Sequence, residues 1–400
     1  MALNIPCRQC VLHSGIPGVV INSEGLCTAC AESKERAKMD RISSQLFTNK
    51  LKDQIAAAKK RKRPFQALVL FSGGKDSAHL LKIVKEEYQL KTLACSIVHP
   101  LVNKTASGNM EEVAGKLGVD LLKLYPEERV YKKVMRQGLL HVEKYGLDEF
   151  AGCSVCSFLF KWLSFKMALQ LDIPLIFDGS DISQSDGPYY LDGKTMARGL
   201  SEGARPFGAL HQVVADALGP EYEGSLYDCN PDDLKNRELP SIIAPFTFMP
   251  YDYRENFREI ERMGVESKKF RKLFTNCNAI PFFSYFSLKR YDCVPYIKHY
   301  ASEIRRGYSN LLQLKLDSGG HENALTRETV SRMMEEYKKI IFYVADHKLD
   351  LDRITPEQRR RVAELAPTYL RVFEPEVCEV LFNDVLMINH YARVFEMELE

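Results

Sequence analysis

Between residues 65 and 250, short apolar runs alternate with stretches of helical period. The runs at 67–71, 92–98, 121–125, 175–179 and 242–248 predict strands. Between the first two, Ala78, Leu80, Leu81, Ile83 and Val84 fall on one helical face. After the second run, Met110, Val113, Ala114 and Leu117 do the same. Strand–helix alternation of this kind predicts an α/β fold, a parallel sheet with helices on both faces. A polar, Lys-rich stretch at 32–62 predicts a linking helix ahead of the first strand. Beyond residue 250 the pattern turns helical and irregular, and 325–400 predicts two to four amphipathic helices with an acidic end at Glu400. The expected division is therefore a cysteine-rich segment at 1–35, a helical linker at 36–64, the α/β domain at 65–250 and a mainly helical region at 251–400.

Composition narrows the class only modestly. The 45% hydrophobic and 27% charged content suits a water-soluble protein with a sizeable core. A net charge of +2 gives no general attraction to nucleic acid or membrane. The one basic run, Lys59 to Arg63, fits a solvated helix end better than a nucleic-acid patch. There is no N-terminal apolar leader and no run near the ~20 residues of a membrane span, so the expectation is a cytoplasmic protein with no membrane association.

Chemistry concentrates at Ser72-Gly73-Gly74-Lys75-Asp76-Ser77, directly after the first strand and before the first helix. Such a turn gathers unpaired backbone N–H groups and the positive end of a helix dipole into an anion site. The glycines let a phosphate approach the backbone, the serines add hydroxyl donors, and Lys75 adds a compact charge. The spacing is not that of a Walker A loop. It resembles the PP-loop of the ATP pyrophosphatases, which cut ATP between the α and β phosphates and leave AMP on a substrate oxygen. On that resemblance residues 72–77 bind ATP and Lys75 stabilises the leaving pyrophosphate. Asp76 beside a triphosphate calls for a bridging Mg²⁺, the reading favoured over a plain helix cap. The later strand ends in Asp178, Gly179 and Ser180, where Gly179 would admit a nucleotide to the backbone. Asp181, Gln184, Ser185 and Asp186 follow in a polar loop. An ordinary strand-end turn explains that stretch equally well.

Eleven cysteines suggest reduced thiols rather than disulfides. Cys7 and Cys10, then Cys27 and Cys30, form two C-x-x-C pairs across a Gly-rich hairpin, the layout of a structural zinc ribbon. Cys153 and Cys156 open a very apolar helix, where the helix dipole would depress a thiol pKa and suit sulfur transfer, redox work or metal ligation. Burial as structural cysteines fits as well. With Cys277 they would supply three thiolates and one open position, the requirement of an iron–sulfur cluster. Cys229 and Cys293 carry no such spacing. Arg305 and Arg306 are candidates for carboxylate or phosphate binding, or a solvated helix end.

These residues together resemble the N-acetyl sugar amidotransferases of bacterial surface-polysaccharide synthesis. The likeness runs from the paired cysteines before an SGGKDS loop, through Asn109 to Val113 and Leu117 to Asp120, to Ala301 through Gly307. It implies an adenine nucleotide alpha hydrolase-like fold and adenylation of a substrate oxygen. Ammonia from a separate glutaminase then displaces AMP. The tRNA thiolases offer a second resemblance, since they too join SGGKDS to a C-x-x-C and a third cysteine. A sulfur-donor protein would replace the glutaminase there. The chain lacks the broad basic surface of a tRNA binder, so a small-molecule acceptor is the favoured substrate. A non-catalytic nucleotide-binding scaffold is the alternative outside enzymology, against which the intact Lys75–Asp76 pair stands. The C-terminal helices suit a domain cap, a homo-oligomer contact or a partner's seat, and their sequence does not choose.

Overall fold

A computed structural model describes residues 4–185, 187–195, 198, 207–228, 234, 237–266, 276–306, 327–373 and 375–399. Asp186, Cys229, Gly307 and Glu400, singled out in the sequence, lie outside the described residues. The chain forms two compact units. One comprises Glu35–Gly146 and Ser154–Phe270; the other comprises Met1–Lys34, Leu147–Cys153 and Arg271–Glu400.

The first unit is a six-stranded sheet. Its strands are β1 Ala67–Leu70, β2 Thr92–Ile97, β3 Asp120–Leu124, β4 Leu175–Phe177, β5 Tyr189–Leu191 and β6 Ser241–Ala244. The order is β3-β2-β1-β4-β6-β5, parallel throughout except for β5, which pairs antiparallel with β6. β1, β2, β4 and β6 are buried along their whole length, which is why their sequences are continuous apolar runs without alternation. From β1 the chain winds outward through β2 and β3, then returns to β4 on the other side of β1. That reversal makes the carboxyl ends of β1 and β4 the topological switch point, where ligands of such sheets sit.

All five predicted strands exist, with two differences. The run at 242–248 is not one strand, because Pro245 cannot donate to a ladder and turns Pro245–Thr247 into a 3₁₀ turn after β6. β5 escaped notice because its three residues are only half-buried and carry no pattern. The linking helix spans Ser33–Lys59.

In the second unit the described C-terminal residues form five helices, not two to four: Arg327–Asp346, Pro356–Glu364, Pro367–Val372, Pro375–Leu386 and Ile388–Val394. Prolines at 356, 367 and 375 each open a new helix, cutting one apolar stretch into short segments. Their apolar faces form a single core with the helices Ile280–Tyr291 and Ile297–Arg306, and Cys7, Cys10, Cys27 and Cys30 belong to that core. Among the described residues no helix is long and apolar enough to cross a membrane.

Candidate active site and metal centre

The 72–77 loop leaves the carboxyl end of β1 and enters the helix Lys75–Lys82, as its sequence predicts. Gly73 adopts a left-handed φ of +74°, and a Cβ there would lie 2.2 Å from the Ala106 carbonyl oxygen. Both facts demand glycine. The neighbouring helix Lys104–Leu117 grips the loop: Asn103 caps that helix by accepting from the Ala106 N–H at 2.7 Å, and Asn109 donates to the Gly73 carbonyl at 3.2 Å. Gly74 is the extended N-cap residue and offers no side chain, so the first-turn N–H groups of Lys75–Lys82 lack a side-chain cap. The Ser72 and Ser77 hydroxyls lie 3.2 Å apart, and Ser72 also accepts from the Gly74 N–H at 3.4 Å. The loop is a nest of donors at a helix start, the geometry that receives phosphate.

Gly179 brings β4 against this nest. A Cβ there would lie 3.0 Å from the Ser77 nitrogen, so the close approach of the two strand ends depends on glycine. Just before it, Asp178 pairs with Lys161 at 2.8 Å and accepts from the Ser180 N–H and hydroxyl at 3.0 and 2.7 Å. Burial disfavours the Asp178 charge, but Lys161 and the Ser180 donors overcome that and hold its carboxyl below the usual range. Asp181, 1% exposed, behaves oppositely: burial and the nearby charge of Asp76 push its pKa up. Asp76 and Asp181 are thus two electrostatically coupled carboxylates beside an anion nest, a donor set of hard oxygens that fits a divalent cation.

Asp76 is held by residues that the sequence did not single out. Tyr251 donates to its Oδ1 at 2.7 Å, Asn256 Nδ2 donates to the same oxygen at 2.6 Å, and Lys75 Nζ reaches its Oδ2 at 2.6 Å. Asn256 is fixed in turn by His79, whose Nδ1 lies 2.5 Å from Asn256 Oδ1. Tyr251 and the helix Tyr253–Arg262 that carries Asn256 lie some 175 residues downstream. No motif connects them to the loop. The amphipathic period of 253–262 was the one available signal, and it shows a packed helix without naming what it packs against.

In the second unit the four paired cysteines converge: their sulfurs all lie within 4.8 Å of one another, with Cys10 and Cys27 3.7 Å apart. A tetrahedron with metal–sulfur bonds of about 2.3 Å has edges of about 3.8 Å, so the spacing fits one four-coordinate ion. Two short hairpins, bridged at Pro6–His13 and Ile21–Cys27, turn the pairs inward. Burial disfavours charge on Cys7, but backbone N–H groups of Cys27, Gln9 and Cys10 aimed at its sulfur prevail and lower its pKa. Arg327 ties the loop to the C-terminal helices through the Cys7 and Cys10 carbonyls at 2.9 and 3.1 Å, and Arg305 reaches the Cys10 sulfur at 3.8 Å. Arg305 thus faces a thiol of the four-cysteine group, and Arg306 points back to Ser302 of its own helix.

Cys153 and Cys156 lie in the helix Ala151–Gln170, and each has its own neighbours. The Tyr131 hydroxyl donates to the Cys156 sulfur at 3.2 Å, and His99, stacked on Tyr131, lies 3.6 Å away. Burial pushes the Cys156 thiol up to about 11 and holds His99 near 4. The shift on Cys156 is thus opposite to the dipole effect, because the half-buried residue sits past the first turn and is poorly solvated. Cys153 lies 3.4 Å from the Tyr296 hydroxyl, and Cys277 accepts from the Ala279 N–H at 3.4 Å. Among the described residues the N-terminal four are the one group of metal-ligating side chains whose donor atoms converge.

No protein-family model matches this chain. No curated protein matches it. Among solved structures it is similar to the U34-tRNA thiolase NcsA of Methanococcus maripaludis with its 4Fe–4S cluster, at 15% identity and a TM-score of 0.30, over 78% of this chain and 89% of that one. It is also similar to NMN synthetase of Francisella tularensis, at 10% identity and a TM-score of 0.34, over 84% of this chain and 96% of that one. At these identities and TM-scores neither likeness carries a functional argument.

Proposed function

We propose that this chain is an ATP-dependent, AMP-forming enzyme that adenylates a carbonyl or carboxylate oxygen of a small molecule, releases pyrophosphate, and then transfers nitrogen to the activated carbon. The observation that carries the first step is the 72–77 loop itself. It is a left-handed Gly73 turn clamped by Asn109, feeding an uncapped helix start at the switch point of a doubly wound sheet.

The nest N–H groups and the Ser72 and Ser77 hydroxyls would bind phosphate oxygens. Lys75 would meet the charge that builds on the departing pyrophosphate. Asp76 and Asp181 would hold Mg²⁺, which supplies charge neutralisation on the triphosphate when bound. Gly179 leaves the backbone open beside Ser77 for the rest of the nucleotide. Activation of this kind suits an acceptor oxygen that is otherwise a poor leaving group.

Nitrogen is favoured over sulfur because desolvation pushes the half-buried Cys156 thiol up to about 11, which disfavours the thiolate that sulfur transfer needs. Ammonia would come from a separate glutaminase. The four N-terminal cysteines would hold a structural zinc. The decisive test is product analysis with a panel of N-acetyl sugars and carboxylic acids plus ammonium. AMP and pyrophosphate in equal amounts, with an amidine or amide product, support the reading. ADP and orthophosphate, or no acceptor-dependent turnover in the whole panel, overturn it.

A further inference from the structure

Among the contacts that hold Asp76, one comes from a side chain that can point either way. An ionised carboxylate only accepts hydrogen bonds, so the group that Asn256 sets 2.6 Å from Asp76 Oδ1 is its amide N–H. The amide is planar, and its oxygen faces away from Asp76, onto His79 Nδ1 at 2.5 Å. An oxygen there is satisfied by an N–H, so His79 carries a proton on Nδ1. With the proton on Nε2 alone, Nδ1 would present a lone pair, and the amide would turn over to meet it. That turn would bring Asn256 Oδ1 onto Asp76 Oδ1, acceptor against acceptor. Asn256 is 1% exposed, so water does not relieve the clash.

The fold fixes both ends of this relay. His79 stands one turn after Asp76 on the helix Lys75–Lys82, and Asn256 stands on Tyr253–Arg262. Lys82 and Glu259 tie the same two helices together one turn further on. Phe246, 4% exposed, sits in the turn after β6, with its ring centroid 5.8 Å from that of His79 and 5.4 Å from that of Tyr251. It packs beside the imidazole and beside Tyr251, the second donor to Asp76 Oδ1.

We infer that His79 is a positioning residue: its Nδ1 proton sets the orientation of the Asn256 amide and, through it, the direction in which Asp76 presents its carboxylate to a divalent cation. The inference rests on the reading of Asp76 as a holder of Mg²⁺. His79 itself acts only through Asn256.

Two amides separate this role from packing, since an Asn N–H stands where His Nδ1 does and a Gln N–H stands where Nε2 does. The probe is an ATP analogue with a methylene bridge between the α and β phosphates, titrated calorimetrically into the full chain with and without Mg²⁺. The wild type should bind it more tightly with Mg²⁺. In His79→Ala and His79→Gln that gain should shrink by about tenfold, with the Mg²⁺-free affinity unchanged, whereas His79→Asn should keep it within a few-fold. Nitrogen-15 NMR of histidine-labelled wild type needs no variant to be functional. The ring signal that is missing from His79→Asn protein should report a proton on Nδ1. A proton on Nε2 alone overturns the inference. So does a Mg²⁺-dependent gain that His79→Ala keeps in full, or one that His79→Asn loses as alanine does. A wild type that gains nothing from Mg²⁺ fails differently, because it refutes the reading of Asp76 on which the inference rests.

Discussion

A methyl group on Gly73 would lie 2.2 Å from the carbonyl oxygen of Ala106, and that oxygen belongs to a helix backbone that cannot step aside. The loop's shape is therefore fixed by its neighbour as well as by its own glycines. Gly73→Ala also places a side chain at a left-handed φ, a cost of about 1–2 kcal/mol before any clash. The nest should open while the sheet persists. The expected result is loss of nucleotide binding by at least about tenfold, with far-UV circular dichroism retained.

Lys75→Met should cost more in turnover than in binding, because its charge is needed most when pyrophosphate leaves. A fall in kcat of about 10²–10³-fold is expected, with nucleotide affinity within a few-fold of wild type. An unchanged kcat would remove Lys75 from the chemistry.

Asn256 acts through Asp76. Its amide donates to Asp76 Oδ1 and its carbonyl faces His79, so Asn256→Ala removes one of the donors that orient the carboxylate and leaves Tyr251 and Lys75 to hold it. A modest loss, about tenfold in the apparent affinity for Mg²⁺ during turnover, is expected. Asn256→Asp keeps the contact to His79 but sets a second carboxylate against Asp76, and it should be worse than alanine.

Metal and C-terminal helices should unfold together. The four cysteines share one core with the helices of the second unit, and Arg327 spans from those helices to the Cys7 and Cys10 carbonyls. Purified protein should hold about one zinc and no iron. Chelation, or Cys27→Ser, should remove a calorimetric transition and the helical signal that belongs to it. Survival of both transitions without metal would show that the core stands alone.

Glu149 supplies a pH dependence. Its side chain is fully buried 3.0 Å from Lys298, which also pairs with Asp148, while Cys293 and His299 occupy the same neighbourhood. Burial, aided by the Asp148 charge, raises its pKa from 4.5 to about 7. In the unfolded chain the group loses its proton near pH 4.5. Its contribution is thus fully present below that value and is lost as pH rises through about 7. The loss is at most about 3 kcal/mol. Glu149→Gln, which keeps the amide neutral, should flatten melting temperature against pH across this window. A profile identical to wild type would contradict the assignment.

The sequence made the loop, the strands and the paired cysteines legible because each is a local pattern. Apolar runs mark strands buried on both faces, and C-x-x-C spacing marks ligands turned by the same hairpin. What it left hidden was long-range. Asn256 and Tyr251 converge on Asp76 from about 180 residues away with no shared motif. Cys156 shows another limit: its position near a helix start left a reactive thiol and a structural one equally open, and its neighbours Tyr131 and His99, invisible in a linear pattern, come only from the fold.

Titration calorimetry of the full chain with Mg²⁺ and an ATP analogue carrying a methylene bridge between the α and β phosphates tests the central claim most directly. One analogue should bind per chain, with binding lost in Gly73→Ala and intact in Cys27→Ser protein that keeps its sheet. Failure of the wild type to bind, or undiminished binding by Gly73→Ala, would contradict the assignment of residues 72–77 as the nucleotide site.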